Sequence, residues 1–431
     1  MNYEPKKKLT NRRRFRAISV AAVAALVLAA CGDSSDNSQE DPEVLGFEYG
    51  AAQDEVNEII ADLEPVELTY QASAASPSSV MAGAAESYRD YIEERSNGQI
   101  TLDIIWGQAI ADYPEVYDAL ADGRLDLAFA LPIYSPSDFP SFDAVSTAMS
   151  GLPNSPLMGE AVYTAVSTDI GWQLDSLLEE YEAQGVVPLT PIVSSGGYYS
   201  VCNDDGVTAD DWNGRQIRVA STSHHGVAGS LNASPVSMEY VEVFEALQRG
   251  TVDCSFAQLI PSAEVGLFEV APHIGYSSDE YSMSSRAPGA ELAGSSFNDL
   301  PLAYQQIIFD ASMARFESGV PLIANGNAEA VSQAKAAGGT IEQFDDETEQ
   351  VVGETNQQQR EAIAEGGAVG DDIVERIQES SEKWTAVAEE EGIVDLGDFE
   401  DLDEWWDADE YDFSGIAQQV YEESALPFRP E

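Results

Sequence analysis

One short pattern occurs twice in this chain. Residues 115–130 and 242–257 align without a gap, with Glu, Val, Ala, Leu, Gly, Asp, Phe and Ala repeated in the same eight places. Val116 and Leu120 in the first copy, and Val243 and Leu247 in the second, fall on one face of a short helix. Gly123 and Gly250 follow, and glycine there closes a helix by taking the left-handed conformation that other residues resist. An apolar strand comes next. A switch from helical to strand periodicity within sixteen residues demands an α/β unit, and such sheets bind ligands beyond the carboxyl ends of their strands. Two copies predict two similar lobes that face each other. The plainer alternative is that any α/β protein holds several helix–glycine–strand units.

The surrounding order supports a doubly wound sheet. A strand at 67–72 leads through serine-rich residues 73–79 to a helix with Met81, Ala84, Tyr88, Tyr91 and Ile92 at helical spacing. Asn97-Gly98 stops it, and Ile100, Leu102 and Ile104 alternate as a second strand before the first repeat. Further helix–strand alternations occupy 159–257. A long helical stretch runs from Leu302 to Ala337, interrupted or kinked at Gly319-Val320-Pro321. Residues 340–344 form a strand, 345–391 an acidic helical region, and 395–431 an acidic, aromatic tail with Trp405 and Trp406. Asp407, Asp409 and Asp412 lack the spacing of a calcium loop, so the tail reads as a solvated segment with its tryptophans packed on the body.

The first residues carry a targeting signal. Lys6–Lys8 and Arg12–Arg14 precede an apolar run from Ile18 to Ala30, too short for a membrane span, which ends Leu28-Ala29-Ala30-Cys31-Gly32. Small residues before a cysteine make a lipoprotein signal, with a diacylglycerol on Cys31 after cleavage. Arg12-Arg13-Arg14-Phe15 also resembles a twin-arginine export signal, so either export route fits. Residues 32–41 are polar and acidic, as in a flexible tether. The expectation is a body held at the outer face of the cell membrane.

The chain has 20 Lys and Arg against 77 Asp and Glu, a formal charge of −57. Nucleic acid and anionic lipid need a basic footprint, so neither is an expected partner. Acid spread over the whole surface suits solubility in high salt.

Motifs for nucleophilic, metal-dependent, nucleotide or dinucleotide chemistry are absent, so no enzyme and no cofactor is expected. His224 and His225 are adjacent, point to different sides and chelate poorly, so a loop or helix-start role is expected and no metal. Cys202 and Cys254 remain once Cys31 is lipidated, and the choice between a disulfide and two buried thiols stays open. Arg218 sits in the alternating strand Ile217-Arg218-Val219 and needs a partner. A ligand carboxylate fits its planar fork, and so does an internal Asp or Glu.

The block Asp211-Trp212-Asn213-Gly214-Arg215-Gln216-Ile217-Arg218-Val219, then Asn232-Ala233-Ser234-Pro235-Val236, then the second repeat, resembles the extracytoplasmic solute-binding proteins of TRAP transporters, the DctP-like family. The resemblance implies an α/β fold of two periplasmic-binding-protein-like lobes, a ligand cleft between them, and a long helix crossing both. It implies capture of a small organic acid and delivery to membrane permease subunits, with Arg218 clamping the carboxylate. The lobes are expected at 67–195 with about 278–318, and at 196–277 with about 319–394; the signal covers 1–31, an acidic tether and entry segment 32–66 and an extension 395–431. Tyr199 stands at or near the place of a second family arginine, and Cys254 to Ala257 replace a common Gly-Gln-Glu-Asn. With Leu131-Pro132-Ile133-Tyr134 after the first repeat, this points to a monocarboxylate with an apolar or aromatic body. The expected ligand-binding residues are Arg218, Tyr199, Gln71, Tyr134, Leu131, Ala257 and Tyr240 in a monomeric receptor. A sensory or scaffold lipoprotein on the same fold is the other reading.

Overall fold

The computed structural model describes residues 45–279, 281–286 and 288–431. The export signal, Cys31 and residues 32–44 lie outside the described residues, whereas the rest of the expected tether and entry segment is folded: the helix Gln53–Ile60 buries Val56 and Ile60 in the core of the first lobe. Among the described residues, no helix is long and apolar enough to cross a membrane.

Strands β1 (Val66–Gln71), β2 (Ile100–Ile105), β3 (Leu127–Ala130) and β4 (Val187–Val193) lie on one side of the molecule in sequence order. Then come β5 (Tyr199–Cys202), β6 (Gln216–Val219), β7 (Ser234–Ser237), β8 (Cys254–Ala257) and β9 (His273–Tyr276). β10 (Gly289–Ala293) and β11 (Ile341–Gln343) complete the set. They form two sheets. The first has the order β2-β1-β3-β10-β4 and the second β11-β9-β5-β8-β6-β7. β1 is parallel to β2 and β3, whereas β10 runs antiparallel to β3 and β4. The second sheet repeats the scheme, with β6 parallel to β7 and β8, and β5 antiparallel to β8 and β9.

The antiparallel strands follow from how the chain crosses between sheets. It passes once from β4 to β5, back from β9 to β10, and again along the helix Leu302–Ala336 to β11. That helix is continuous over 35 residues despite Pro321. The sequence had suggested an interruption there. Ile307, Ile308 and Phe316 are buried on the first-lobe side and Ala330, Val331 and Ala334 on the second, so packing at both ends holds it through the missing hydrogen bond. At Gly326 it approaches the helix Leu259–Glu264 so closely that a Cβ would meet Ile260 Cγ1 at 2.5 Å.

The repeated units occupy matching places. Helix Val116–Ala121 precedes β3, and helix Val243–Gln248 precedes β8. Gly123 (φ 76°) and Gly250 (φ 66°) end them in the left-handed conformation. Cys202 and Cys254 are directly opposed across the β5–β8 ladder and joined as a disulfide.

Two segments depart from the expected division. Helix Ile373–Glu390, assigned by sequence to the second lobe, packs on helix Met158–Trp172 in the first: Ser380 Oγ (2.6 Å) and Trp384 Nε1 (3.2 Å) both donate to Asp169. Its buried stripe of Ile373, Ile377 and Trp384 joins the core of that lobe. The acidic tail is more than a solvated segment. Phe399 and Leu402 are buried in the core of the second lobe, and Phe413, Ile416, Ala417 and Val420 in the core of the first. Acidic side chains between these apolar positions stay at the surface, which is why composition alone suggested solvation.

Candidate ligand-binding cleft

Each repeat unit delivers its strand to the same place. β3 runs into Leu131, Ile133 and Tyr134, and β8 runs into Gln258 and the helix beginning at Leu259. Together they border a cleft of about 310 Å³ between the sheets, near the lower end of the ~300–1,000 Å³ usual for small-molecule pockets.

Arg218 dominates the chemistry. β6 lies inside the second sheet, so a side chain there is buried by its neighbours, and Arg218 is 1% exposed. Its Nε donates to the Met238 carbonyl (3.0 Å) and its Nη1 to the Phe256 carbonyl (3.3 Å). Its Nη2 is buried without a hydrogen-bond partner. The guanidinium lies 5.4 Å from the centroid of the Tyr240 ring, which contributes a cation–π contact. The two protein partners are neutral carbonyls, not a carboxylate. A buried guanidinium held this way still lacks its counter-ion, and burial of an uncompensated charge costs several kcal/mol. Arg218 lines the cleft, and its unpartnered Nη2 leaves the guanidinium able to take an anion there.

Aromatic rings surround that anion site. Tyr113 meets Phe129 and Tyr134 edge-on, each with centroids 6.3 Å apart. Tyr198 and Tyr240 face them from the other side. Burial pushes the phenols of Tyr113, Tyr198 and Tyr240 well above their ordinary range, so all three stay neutral. The Tyr240 hydroxyl lies 2.8 Å from Ser262 Oγ, whose own proton goes to the Gln258 carbonyl, so Tyr240 donates.

At the mouth, Val80 N donates to Glu264 Oε1 (3.2 Å), a contact from one lobe to the other. At the back, Gln258 Nε2 donates to Ser195 Oγ (2.7 Å) and to the Gly196 carbonyl (3.0 Å), which ties β8 to the β4–β5 crossover.

Of the residues expected from sequence, Arg218, Tyr134, Leu131 and Tyr240 line the cleft. Three do not. Tyr199 points the other way and stacks on Phe399, because successive residues of a strand alternate faces; its neighbour Tyr198 takes the cleft position. Ala257 is buried beneath the second sheet, and the next residue, Gln258, reaches the site. Gln71 is spent on structure: its amide oxygen accepts from Ile110 N and Ala111 N, and its nitrogen donates to the Ala111 carbonyl. Sequence reasoning also missed Arg315, Tyr113 and Phe129, which line the cleft from the long helix and the first lobe. Phe129 ends the first repeat with the same Phe-Ala pair as Phe256 in the second, and was legible as a candidate on that ground.

Among the described residues no group of three or more His, Cys, Asp or Glu side chains is placed to hold a metal ion. His224 lies in the first turn of helix Thr222–Ser230, as expected of a helix-start role. Its Nε2 is 2.6 Å from Ser284 Oγ, and Nδ1 accepts weakly from Ala220 N at 3.4 Å. Burial, with Arg218 and His225 adding to it, drives its pKa down to about 3, so the ring is neutral.

Comparison with known proteins places this cleft in context. Residues 71–366 match the family model described as bacterial extracellular solute-binding protein, family 7 (DctP). A curated solute-binding protein of Albidiferax ferrireducens is 24% identical over 180 residues, which are 42% of this chain and 51% of that one. The chain thus matches about half the length of that relative. A marine-metagenome TRAP solute-binding protein, solved with 3-hydroxybenzoate and described as specific for aromatic acids, superposes with TM-score 0.64 at 19% identity, covering 74% of this chain and 99% of that one. A TRAP solute-binding protein of Rhodoferax ferrireducens, solved with copurified benzoate, superposes with TM-score 0.64 at 19% identity, over 75% and 99%. Identity at this level establishes a shared fold of two lobes about a cleft.

Proposed function

The chain belongs to the bacterial extracellular solute-binding proteins of family 7, and from that premise we propose that it captures a small organic carboxylate between its lobes and delivers it to a TRAP-type membrane permease. Lipid on Cys31 would hold it at the outer face of the membrane, within reach of the permease subunits. The observation that carries the carboxylate is Arg218, buried, with Nη2 unpartnered in the cleft. An apolar or aromatic ligand body follows from the ring-lined walls of Tyr113, Phe129, Tyr198 and Tyr240. Two proteins of the same fold have been solved with aromatic acids, which supports this choice.

Mass spectrometry of the ligand that copurifies with the protein tests the proposal directly, and calorimetry with small aromatic carboxylates tests the clamp. Arg218→Ala is expected to weaken carboxylate binding by ~30-fold or more, since truncating one partner of a buried charge pair costs at least about 2 kcal/mol. Unchanged affinity overturns the assignment. Anchoring is tested by following fatty-acid label into the wild type and Cys31→Ser; label retained by the variant refutes lipid attachment at Cys31.

A further inference from the structure

A second guanidinium borders the cleft. Arg315 reaches it from the long helix, with its side chain 13% exposed. Behind it stands Glu291 on β10, 1% exposed, in register with Phe129 of β3 on one side and Thr190 of β4 on the other. Arg315 Nε lies 2.9 Å from Glu291 Oε2, and Tyr70 is the other polar group beside the carboxylate. Arg315 and Tyr70 both stand within reach of the carboxylate, and the Arg315 contact is a buried ion pair. Burial pushes the Glu291 carboxyl up from its ordinary range and Arg315 opposes that rise. Arginine keeps its proton in proteins, so an ionised Glu291 is what spares the interior a second uncompensated cation.

The charges of the cleft can then be counted. Arg218 and Arg315 are its cations, and Arg315 is cancelled from within by Glu291. Glu239 and Glu264 add negative charge at the lining. One anionic group on a ligand satisfies Arg218. A second would be buried opposite no free cation and would face the lining carboxylates, which is costly wherever water is excluded. We propose that Glu291 is a specificity-determining residue: by cancelling Arg315 it restricts the cleft to singly charged ligands and excludes dicarboxylates. This rests on the carboxylate reading above and adds which residue sets the ligand's charge.

The test is calorimetry on the full chain near neutral pH, with benzoate and benzene-1,3-dicarboxylate as probes. The wild type is expected to bind the dicarboxylate ~100-fold more weakly, and Glu291→Gln, which frees Arg315, to narrow that ratio by about tenfold or more. The double variant Glu291→Gln with Arg315→Gln, neutral at the pair, is expected to restore the wild-type ratio. Should Glu291→Gln fail to fold, Glu264→Gln at the exposed mouth is expected to narrow the ratio in the same direction, by less than the buried variant. Equal wild-type affinity for the two probes, or an unchanged ratio in the folded variant used, overturns the charge count alone. Absence of binding by both probes and by every other small carboxylate overturns the carboxylate reading, and the charge count with it.

Discussion

The ring of Tyr199 stacks on that of Phe399, with centroids 4.6 Å apart and planes 21° apart. Phe399 lies outside the family match, which ends at residue 366. A residue of the C-terminal segment thus covers the face of β5 turned away from the cleft, next to Tyr198, which lines it. Tyr276 on β9 meets the same ring at 5.0 Å. The segment then continues to the first lobe, where its last turns are buried. It contributes to both cores.

Tyr198 and Tyr199 should therefore separate affinity from stability. Tyr199→Ala is expected to cost about 3 kcal/mol of stability, the usual range for truncating a buried aromatic, with ligand affinity nearly kept. Tyr198→Ala is expected to weaken binding about tenfold or more, as for an aromatic anchor in a pocket. Denaturant titration and calorimetry on both variants check this. The reverse pattern would show the faces of β5 to be misassigned.

The C-terminus should act as a lock. Arg429 Nε and Nη2 lie 2.8 and 2.9 Å from the two oxygens of Asp310, and Nη1 donates to the Phe47 carbonyl at 2.7 Å. The side chains are 7% and 3% exposed, and the Tyr421 hydroxyl also donates to Asp310. Arg429→Met should destabilise the protein by about 3–5 kcal/mol, because it strands a buried carboxylate, and Arg429→Met with Asp310→Leu should recover most of the loss. Thermal melts of the two variants measure it. A single variant that melts like the wild type rules the lock out.

Acid should destabilise the fold through His224. Its folded-state pKa is about 3 against 6.5 for a free imidazole. The unfolded chain therefore binds the proton first. Stability from this group is intact above pH 6.5 and falls as pH drops toward 3, by about 1.4 kcal/mol per unit. His224→Gln should show a shallower loss of melting temperature between pH 6.5 and 4 than the wild type. Equal slopes would place the acid sensitivity elsewhere.

Reduction should weaken the second lobe. The Cys202–Cys254 bond closes a separation of 52 residues, which in the chain-entropy account stabilises by about 4 kcal/mol. Melting with and without dithiothreitol, and of the Cys202→Ala, Cys254→Ala double variant, should show matching decreases in melting temperature. No decrease in either would mean that the two cysteines are not bonded in the exported protein.

Much of the architecture was legible in the chain. The repeat announced two lobes because helix-then-strand periodicity is local, and a glycine ending each helix is a requirement of backbone geometry. Arg218 was legible for a similar reason: an arginine within a short apolar strand of so acidic a chain has few explanations. The tail was read in part: Trp405 and Trp406 do pack on the body, but its other apolar residues are spaced among many acids, and only a partner surface reveals which face is buried.

The sequence by itself determined the α/β lobes, the long helix and the arginine proposed to bind the anion, since periodicity, helix stops and charge type are written residue by residue. It could not determine which of two adjacent tyrosines faces the ligand, because a one-residue change of register reverses a strand's faces. Nor could it pair Arg315 with Glu291 or Arg429 with Asp310, partners 24 and 119 residues apart. Those contacts exist only once both sheets, the crossing helix and the C-terminal segment are packed, and they decide the charge of the cleft and the stability of the fold around it.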